Sequence, residues 1–406
     1  YRRICRILLK GMRSELRIRK RLEESDMAER EKLEKEKLEK AKAEKKGGRI
    51  RVGMLTSGGD CQALNATMRG IAKALYNLYD SVDIVGFRDG YRGLMYEDYR
   101  LLLKNDFSGI LTRGGTLLGT SRQPFKQMTV PDENGNNKVE LMKATYRKLG
   151  LDCLCVLGGN GSQKTANLLR EEGLNIVSLP KTIDNDLYGT DETFGFQSAI
   201  EIASNAIDCI HTTAASHGRV FIVEVMGHKV GWLTLYAGIA GGADIILIPE
   251  IPYDIHAVIE ALQKRQKAGS RFSIIVVAEG AISKETAALS KKERKTKLAA
   301  RRYPSVAYEI GAEIEALTGQ EVRVTVPGHT QRGGAPNPYD RVLSTRLGAR
   351  AAKLIYDGKF GQMVVIRNNE ITSIPLEESA GKLKTVDPNS SIVEEARLLG
   401  LSFGDR

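Results

Sequence analysis

LDCLCVLGGNGSQKTANLLREEGLNIVSLPKTIDND, the sequence of residues 151–186, decides the fold of this chain. It contains two short apolar runs, 151–157 and 175–179, which flank a stretch with helical periodicity. Runs that are apolar throughout, rather than alternating, are typical of parallel strands covered on both faces. The order strand, helix, strand therefore predicts a βαβ unit of an α/β fold.

The same alternation continues on both sides of this unit. Seven further apolar runs lie at 50–55, 81–86, 220–225, 244–248, 273–278, 321–326 and 363–366. These are enough strands for two doubly wound, Rossmann-like parallel sheets. We therefore expect an α/β protein with two such domains and an active site in the cleft between them.

The charge of the chain is concentrated at its beginning. The 406 residues carry a net charge of +11, but residues 1–48 hold 17 Lys and Arg against 10 Asp and Glu. Residues 49–406 therefore carry a net charge of only +4, which is less than the basic excess expected of a nucleic-acid-binding module. We expect no nucleic-acid partner.

Cysteine usage and hydropathy indicate the compartment. The chain has five cysteines, an odd number, and Cys153 and Cys155 fall inside a predicted buried strand. This predicts free thiols and a cytoplasmic location rather than a disulfide framework. No run of 18 apolar residues exists, so we expect no membrane span.

Two charged segments are predicted to lie in solvent. Residues 23–46 favour a helix stabilised by pairs such as Glu36 and Lys40, and a coiled coil is the alternative, although Leu33 and Leu38 make a poor heptad seam. The Lys- and Arg-rich residues 281–302 are expected to form a solvated helix or loop, with anion or partner binding as the alternative.

Glycine-rich loops follow two of the predicted strands. Gly58-Gly59 lies in one, and Gly158-Gly159-Asn160-Gly161-Ser162 forms the other, with a helix expected from Lys164. Paired glycines let backbone N–H groups approach phosphate oxygens closely. One such loop is often a plain turn, but two at strand ends favour phosphate binding. Neither matches the P-loop or the dinucleotide fingerprint, so we expect another kind of nucleotide site.

A third strand is followed by a loop with two acidic residues. Thr182, Asp184 and Asp186 stand at alternating positions, so an extended segment would direct them to one side. A hydroxyl and two carboxylates suit metal–phosphate orientation and proton abstraction from an alcohol. The alternative is an Asx turn that ends the strand.

Single polar residues follow or end the later strands. They are Arg219, His228, Glu279, Arg323, His329 and Arg332. Each alone is typical of a surface salt bridge, but Arg and His together suit a clamp for a small anion, in which guanidinium groups bind phosphate oxygens in pairs.

With these residues in place, the chain resembles the 6-phosphofructokinase family over about residues 49–370. The resemblance rests on six motifs in order, at 56–60, 113–116, 158–162, 180–186, 223–227 and 328–334. The motifs PKTIDND and GHTQRGG are the most specific of them. The resemblance implies an allosteric, glycolytic kinase that transfers a phosphoryl group from ATP to fructose 6-phosphate.

The resemblance also implies a role for each matching residue. Asp184 would be the base for the sugar 1-hydroxyl, with Thr182 and Asp186 orienting that hydroxyl and the metal–phosphate group. The nucleotide side would comprise Gly58, Arg122, Gln123, Lys126, Gly159, Asn160, Gly161 and Ser162, with Arg122 stabilising the transferred group. The sugar side would comprise Thr182, Ile183, Asp184, Met226, Gly227, His228, Glu279, Thr330 and Gln331, with His329, Arg332, Arg219 and Arg323 at the 6-phosphate.

Assembly, metal and domains follow from the same resemblance. Arg219 and Arg323 would reach in from a neighbouring subunit, which implies a homodimer or homotetramer with shared sites. Mg²⁺ would accompany ATP, although Asn160 stands where the family usually has a metal-binding Asp. The expected domains are an extension, 1–48, a nucleotide-binding domain, 49–196 plus 331–380, and a fructose 6-phosphate-binding domain, 197–330 plus 381–406.

The choice of phosphoryl donor depends on two positions. Pyrophosphate-dependent members carry Asp where this chain has Gly161, and a carboxylate there would crowd and repel a nucleotide α-phosphate. Lys181 is found in pyrophosphate enzymes and in some ATP enzymes. Gly161 favours ATP, pyrophosphate is the first alternative, and a non-catalytic sugar-phosphate or nucleotide sensor, suggested by Asn160, is the second.

Overall fold

Residues 46–406 are described by a computed structural model, in which two sheets with helices on their faces form the body of the chain. The helix predicted over 23–46 lies outside the described residues, apart from Lys46, which begins the first strand. The strands are β1 Lys46–Ser57, β2 Tyr79–Phe87, β3 Tyr99–Leu102, β4 Cys153–Gly158, β5 Ile176–Pro180, β6 Val220–Val225, β7 Ile245–Leu247, β8 Ser273–Ala278, β9 Val322–Thr325, β10 Gln362–Arg367 and β11 Glu370–Pro375.

Thirteen α-helices connect or flank these strands within residues 46–406. They are α1 Leu64–Leu78, α2 Tyr91–Met95, α3 Lys138–Lys148, α4 Asn160–Glu171, α5 Phe196–His217, α6 Trp232–Ala240, α7 Ile255–Lys267, α8 Lys284–Ala288, α9 Lys291–Ala299, α10 Val306–Thr318, α11 Pro338–Tyr356, α12 Leu376–Ser379 and α13 Ser391–Leu398. Short 3₁₀ helices lie at Lys104–Phe107, Phe125–Gln127 and Gly328–Arg332.

The larger sheet has seven strands in the order β11-β10-β5-β4-β1-β2-β3. Its five inner strands are parallel, and the two edge strands, β3 and β11, run antiparallel to their neighbours. Every residue of β4 and β5 is buried, because helices cover both faces of this part of the sheet. The predicted parallel α/β architecture is confirmed.

The smaller sheet has four parallel strands in the order β7-β8-β6-β9. Near the C-terminus, Ser402 forms a parallel bridge with Ile245 at the edge of this sheet. Residues 362–375 form β10 and β11 of the larger sheet. The chain then returns to the smaller sheet, which it reaches at Ser402. The domain boundaries themselves remain a prediction.

Helices α1 and α11 cross closely on one face of the larger sheet. A Cβ atom at Gly348 would lie 2.6 Å from the carbonyl oxygen of Thr67, and one at Gly70 would lie 3.0 Å from that of Thr345. Only glycine permits this approach, which fixes α11 against the helix that follows the first glycine loop.

The charged segment 281–302 forms two short helices, α8 and α9. Helix α9 has no buried residue, and a capping box of Ser290 and Glu293 closes its N-terminus. The expectation of a solvated helix or loop is confirmed for α9, whereas Ala281 and Thr286 of the same segment are buried. None of the helices between residues 46 and 406 combines the length and apolar character that a bilayer crossing requires.

Candidate active site

The carboxyl ends of the strands of both sheets face one cleft of about 640 Å³. The predicted residues that line it are Gly58, Arg122, Gln123, Gly159, Asn160, Gly161, Ser162, Lys181, Thr182, Ile183, Asp184, Asp186, Met226, His228, Glu279, His329 and Arg332. Ligands of open parallel sheets bind at this end, where strands lead into loops and helix N-termini.

The first glycine loop, after β1, is pressed against an arginine from the segment after β9. Gly58 has a φ of +87°, a conformation open mainly to glycine, and its N–H donates to the carbonyl oxygen of Ser121 at 3.1 Å. A Cβ atom at Gly59 would lie 2.9 Å from Cζ of Arg332. Glycine at this position therefore lets the guanidinium of Arg332 lie against the loop backbone.

The second glycine loop leads directly into α4, which begins at Asn160. The helix was predicted to begin at Lys164, and it starts four residues earlier because Gly159 already supplies the N-terminal boundary. A Cβ atom at Gly161 would meet nothing within 4 Å, so this helix N-terminus borders open space in the cleft. Free N–H groups at the first turn of a twelve-residue helix favour a bound anion.

Side chains link the two glycine loops to each other and to the C-terminal segment. The hydroxyl of Ser162 donates to Oγ of Ser57 at 2.9 Å, and Nδ2 of Asn160 donates to the carbonyl oxygen of Lys382 at 2.6 Å. The Asn160 amide nitrogen is thereby engaged, and its Oδ1 is the atom left for a ligand.

Lys181 is a buried cation between the loops. Only 3% of its surface is exposed, and its ammonium donates to the carbonyl oxygen of Gly59. Burial and the nearby charge of Arg332 lower its pKa, against the opposing effect of Asp184 and Asp186. Lys181 therefore ties the third loop to the first glycine loop.

The third loop directs Thr182, Asp184 and Asp186 into the cleft, but it is not the extended segment that the sequence predicted. The backbone bends after Lys181, and Asn185 adopts a left-handed conformation with a φ of +53°. The hydroxyl oxygen of Thr182 accepts from the N–H of Asp184 at 3.0 Å. A turn, rather than strand alternation, gathers the three side chains.

The carboxyl groups of this loop have raised pKa values. Burial, reinforced by the charge of Asp186, raises the pKa of Asp184 to about 6, while Arg332 and His228 oppose the rise. Burial also raises the pKa of Asp186. A carboxylate with a pKa near 6 is still ionised at neutral pH and accepts a proton more readily than an ordinary aspartate.

Residues after the strands of the smaller sheet form the opposite wall. Oε1 of Glu279 accepts from the N–H groups of His228 at 2.7 Å and Gly227 at 3.3 Å, which holds this loop although His228 has a φ of +52°. Gln331 is fully buried, and its Oε1 accepts from the N–H of Met226 at 3.2 Å. Gln331 and Gly227 therefore shape the wall without lining it.

Four predicted site residues lie away from this cleft. Arg219 and Arg323 both pair with Glu321, the first at 2.5 Å, near the amino ends of their strands. Lys126 is exposed in the 3₁₀ helix Phe125–Gln127, and the hydroxyl of Thr330 donates to the carbonyl oxygen of Pro327. Neither Lys126 nor Thr330 lines the cleft.

The cleft also has lining residues that the sequence did not single out. Lys164, Lys229 and Leu383 are among them. Lys164 stands four residues after Asn160, so helical periodicity could have placed it on the same face. Leu383 lies some 200 residues from the loops that it meets, and no local pattern marks it.

The fold and the cleft, with its two glycine loops, helix N-terminus and two carboxyl groups of raised pKa, define an α/β protein with a polar cleft at the carboxyl ends of its strands. Residues 51–355 match the family model described as Phosphofructokinase. The chain belongs to the phosphofructokinase family.

Curated relatives cover nearly the same part of the chain. It is 57% identical over 360 residues to "ATP-dependent 6-phosphofructokinase" of Spirochaeta thermophila, covering 87% of this chain and 97% of that protein. It is 47% identical over 356 residues to "ATP-dependent 6-phosphofructokinase 3" of Bacteroides thetaiotaomicron, covering 87% and 100%.

Solved structures share the fold. The phosphofructokinase of Saccharomyces cerevisiae is 32% identical with a TM-score of 0.68, covering 82% of this chain, which spans 45% of that longer chain. A pyrophosphate-dependent phosphofructokinase of Marinobacter aquaeolei, 21% identical with a TM-score of 0.69, covers 87% of this chain and 88% of its own. At that identity the second likeness concerns the fold alone.

Proposed function

We propose that this chain is an ATP-dependent 6-phosphofructokinase, which transfers the γ-phosphoryl group of ATP to the 1-hydroxyl of fructose 6-phosphate. The products are fructose 1,6-bisphosphate and ADP. The observation that carries the proposal is the convergence of Asp184 and Asp186 with two glycine loops in one cleft. Relatives at 57% and 47% identity that carry this activity in their names support it.

Asp184 is proposed as the general base. The 1-hydroxyl oxygen attacks the γ-phosphorus, its proton passes to the Asp184 carboxylate, and the bond to the β,γ-bridging oxygen breaks to release ADP. A pKa of about 6 suits this step, since the group is mostly ionised at pH 7 yet basic enough to accept the proton. Thr182, whose hydroxyl caps the N–H of Asp184, holds the loop in its bent form.

The donor is proposed to lie along the glycine loops and the N-terminus of α4. Gly159 and Gly161 leave backbone N–H groups accessible to polyphosphate oxygens, while Gly58 and Arg122 line the same cleft. The open space at Gly161 accommodates a nucleotide α-phosphate. Phosphoryl transfer relies mainly on such positioning and charge neutralisation.

Pyrophosphate is the alternative donor because of Lys181. Its ammonium is engaged by the carbonyl oxygen of Gly59 and is buried, so it acts as a brace between loops. That arrangement is compatible with either phosphoryl donor. The open space at Gly161, which can accommodate the α-phosphate of a nucleotide, favours ATP.

Mg²⁺ is proposed to accompany ATP. Besides the proposed base Asp184, the available oxygen donors are the carboxylate of Asp186 and Oδ1 of Asn160, which suit a hard cation. Residues 46–406 contain no group of three or more His, Cys, Asp or Glu arranged to hold a metal alone. This fits Mg²⁺, which is usually held by one or two carboxylates together with substrate phosphates, and which when bound neutralises their charge.

The fructose 6-phosphate site is proposed to be shared between subunits of a homodimer or homotetramer. His329 and Arg332 line the cleft of their own chain, whereas Arg219 and Arg323 lie elsewhere, side by side on Glu321. Two neighbouring guanidinium groups form a ready partner for a phosphate dianion in an adjacent chain's cleft. A cytoplasmic location is also proposed, since Cys61, Cys153, Cys155 and Cys209 are all free.

A coupled assay tests the function. The purified protein is supplied with fructose 6-phosphate and Mg²⁺ together with either ATP or pyrophosphate, and fructose 1,6-bisphosphate is measured. Product with ATP alone supports the proposal, and product with pyrophosphate alone overturns it. Binding of both ligands without product from either donor would indicate a sensor instead of an enzyme.

A further inference from the structure

A short segment near the C-terminus, residues 383–386, crosses the base of the loop that carries Asp184 and Asp186. Leu383 bridges Leu187, and the N–H of Lys384 donates to the carbonyl oxygen of Asp186 at 2.9 Å. The carbonyl oxygen of Lys384 in turn accepts from the indole N–H of Trp232 at 3.0 Å. The segment therefore joins this loop between β5 and α5, called the acidic loop below, to α6, a helix associated with the smaller sheet.

The ammonium of Lys384 uses all three of its hydrogens on the acidic loop. It donates to Oδ1 of Asn185 at 2.9 Å and to the carbonyl oxygens of Thr190 at 3.0 Å and Asp191 at 2.7 Å. Its other side faces the ring of Trp232, whose centroid lies 5.4 Å from Nζ. An ammonium with three acceptors and an aromatic face is fixed in one place.

Asn185, whose side chain accepts a hydrogen bond from Lys384, lies between Asp184 and Asp186 in the sequence. Asn185 has a φ of +53°, and its Oδ1 also accepts from the N–H of Thr193 at 3.1 Å. The left-handed turn at Asn185 is what directs Asp184 and Asp186 to the same cleft. By holding the Asn185 side chain, Lys384 stabilises that turn from behind.

The charges around Lys384 are mostly negative. Asp191, Glu192 and Asp186 face it from the acidic loop, and Trp232 contributes no charge from α6. Burial lowers the pKa of Lys384, and these three carboxylates oppose that effect.

We propose that Lys384 is a positioning residue for the phosphoryl transfer, which sets the Asp184–Asp186 turn through its bonds to Asn185, Thr190 and Asp191. The inference rests on the proposed function, because it assumes that Asp184 is the base. Lys384 does not line the cleft. Its loss should therefore lower kcat while substrate binding changes little.

The test compares Lys384→Met with Lys382→Met. The control removes a lysine side chain two residues away, whose Nζ lies 5.2 Å from the ring centroid of Tyr188 and which does not line the cleft. Lys384→Met is expected to lower kcat at least about 30-fold and to leave KM for ATP and for fructose 6-phosphate within about threefold of the wild-type values. A general base contributes about 10²–10⁴ to the rate, and a displaced Asp184 would lose most of that contribution. A kcat within threefold of the wild-type value would overturn the inference.

A second variant covers the case in which Lys384→Met does not fold. Trp232→Phe replaces the indole with a smaller ring, which removes the N–H that holds the carbonyl of Lys384 and weakens the aromatic contact with its ammonium. It is expected to lower kcat about three- to tenfold at unchanged KM. Wild-type kcat in Trp232→Phe would then overturn the inference.

The split between kcat and KM separates positioning from general stability, because a generally loosened cleft would also raise KM for both substrates. If the wild-type protein itself does not phosphorylate fructose 6-phosphate, the proposed function fails before Lys384 is at issue.

Discussion

A Cβ atom on Gly59 would lie 2.9 Å from Cζ of Arg332, so the guanidinium of Arg332 rests on the backbone of the first glycine loop. Arg332 is proposed to bind the sugar phosphate and this loop to bind ATP, so the contact would join the two proposed substrate sites. Any side chain at position 59 must displace the guanidinium.

Gly59→Ala is therefore expected to weaken fructose 6-phosphate binding. A displaced Arg332 loses charge-assisted hydrogen bonds worth about 1.5–3 kcal/mol, which corresponds to a rise in KM for fructose 6-phosphate of roughly 10- to 100-fold. Steady-state kinetics with both substrates measure this. An unchanged KM for the sugar, with a raised KM for ATP only, would show that Arg332 does not bind the 6-phosphate.

Asp184→Asn is expected to lower kcat by about 10²–10⁴, because the amide cannot accept the proton of the 1-hydroxyl. Binding of fructose 6-phosphate, measured by calorimetry, should survive. Asp132→Asn, in a surface loop, is the matched control and should leave kcat unaltered. Near-normal turnover in Asp184→Asn would remove this residue from the mechanism.

The same substitution is expected to stabilise the ligand-free protein at neutral pH. The pKa of Asp184 is about 6 in the fold against an ordinary 3.8, so ionisation above pH 6 costs stability, on the order of 2–3 kcal/mol. The cost disappears as the pH falls through 6 towards 4, since a proton then binds the folded state more tightly than the unfolded one.

Thermal unfolding at several pH values checks this expectation. The midpoint of Asp184→Asn should exceed that of the wild type at pH 7.5, and the gap should narrow on acidification. Asp132→Asn should show no such gain, because backbone N–H groups lower the pKa of Asp132 instead. Equal midpoints for Asp184→Asn and the wild type at pH 7.5 would contradict the raised pKa.

Gly161→Asp is expected to impair the use of ATP. The carboxylate would enter the open space at the N-terminus of α4 and repel the α-phosphate there, raising KM for ATP about tenfold or more. Gly161→Ala adds only a methyl group that meets nothing within 4 Å, so it should keep a near-normal KM. Equal effects of the two substitutions would mean that charge at this position does not select the donor.

Arg323→Ala is expected to raise KM for fructose 6-phosphate about tenfold or more, although Arg323 lies outside the cleft of its own chain. Mixing Arg323→Ala subunits with Asp184→Asn subunits should restore about a quarter of wild-type activity, since some shared sites then contain neither defect. If mixed and separate preparations have the same activity, sites are not shared.

The inner strands could be predicted because burial on both faces leaves a continuous apolar run. Strands β6 and β8 agree with the expected limits, 220–225 and 273–278. The edge strands β3 and β11 could not be predicted, because they are half-exposed and carry polar residues among apolar ones. Whether an edge segment forms a strand depends more on the neighbouring strand that it pairs with than on its own composition.

The location of the cleft was predictable for a similar reason. Glycine loops after parallel strands meet at one edge, so Gly58 and Gly161 could be expected together. What could not be foreseen is the contact made by residues distant in sequence, such as Lys384 beneath Asn185. Such contacts depend on the path of the whole chain. The alternating positions of Thr182, Asp184 and Asp186 did identify side chains that face the cleft, but the backbone brings them there by a turn at Asn185 and not as an extended segment.

The order of strands also bears on synthesis at the ribosome. Strand β10, which lies beside β5, is made about 180 residues later, after all four strands of the smaller sheet. The smaller sheet can therefore assemble while the larger one still has an open edge at β5, an apolar strand with unpaired backbone groups. Nascent chains truncated between residues 330 and 360 should accordingly be the aggregation-prone ones.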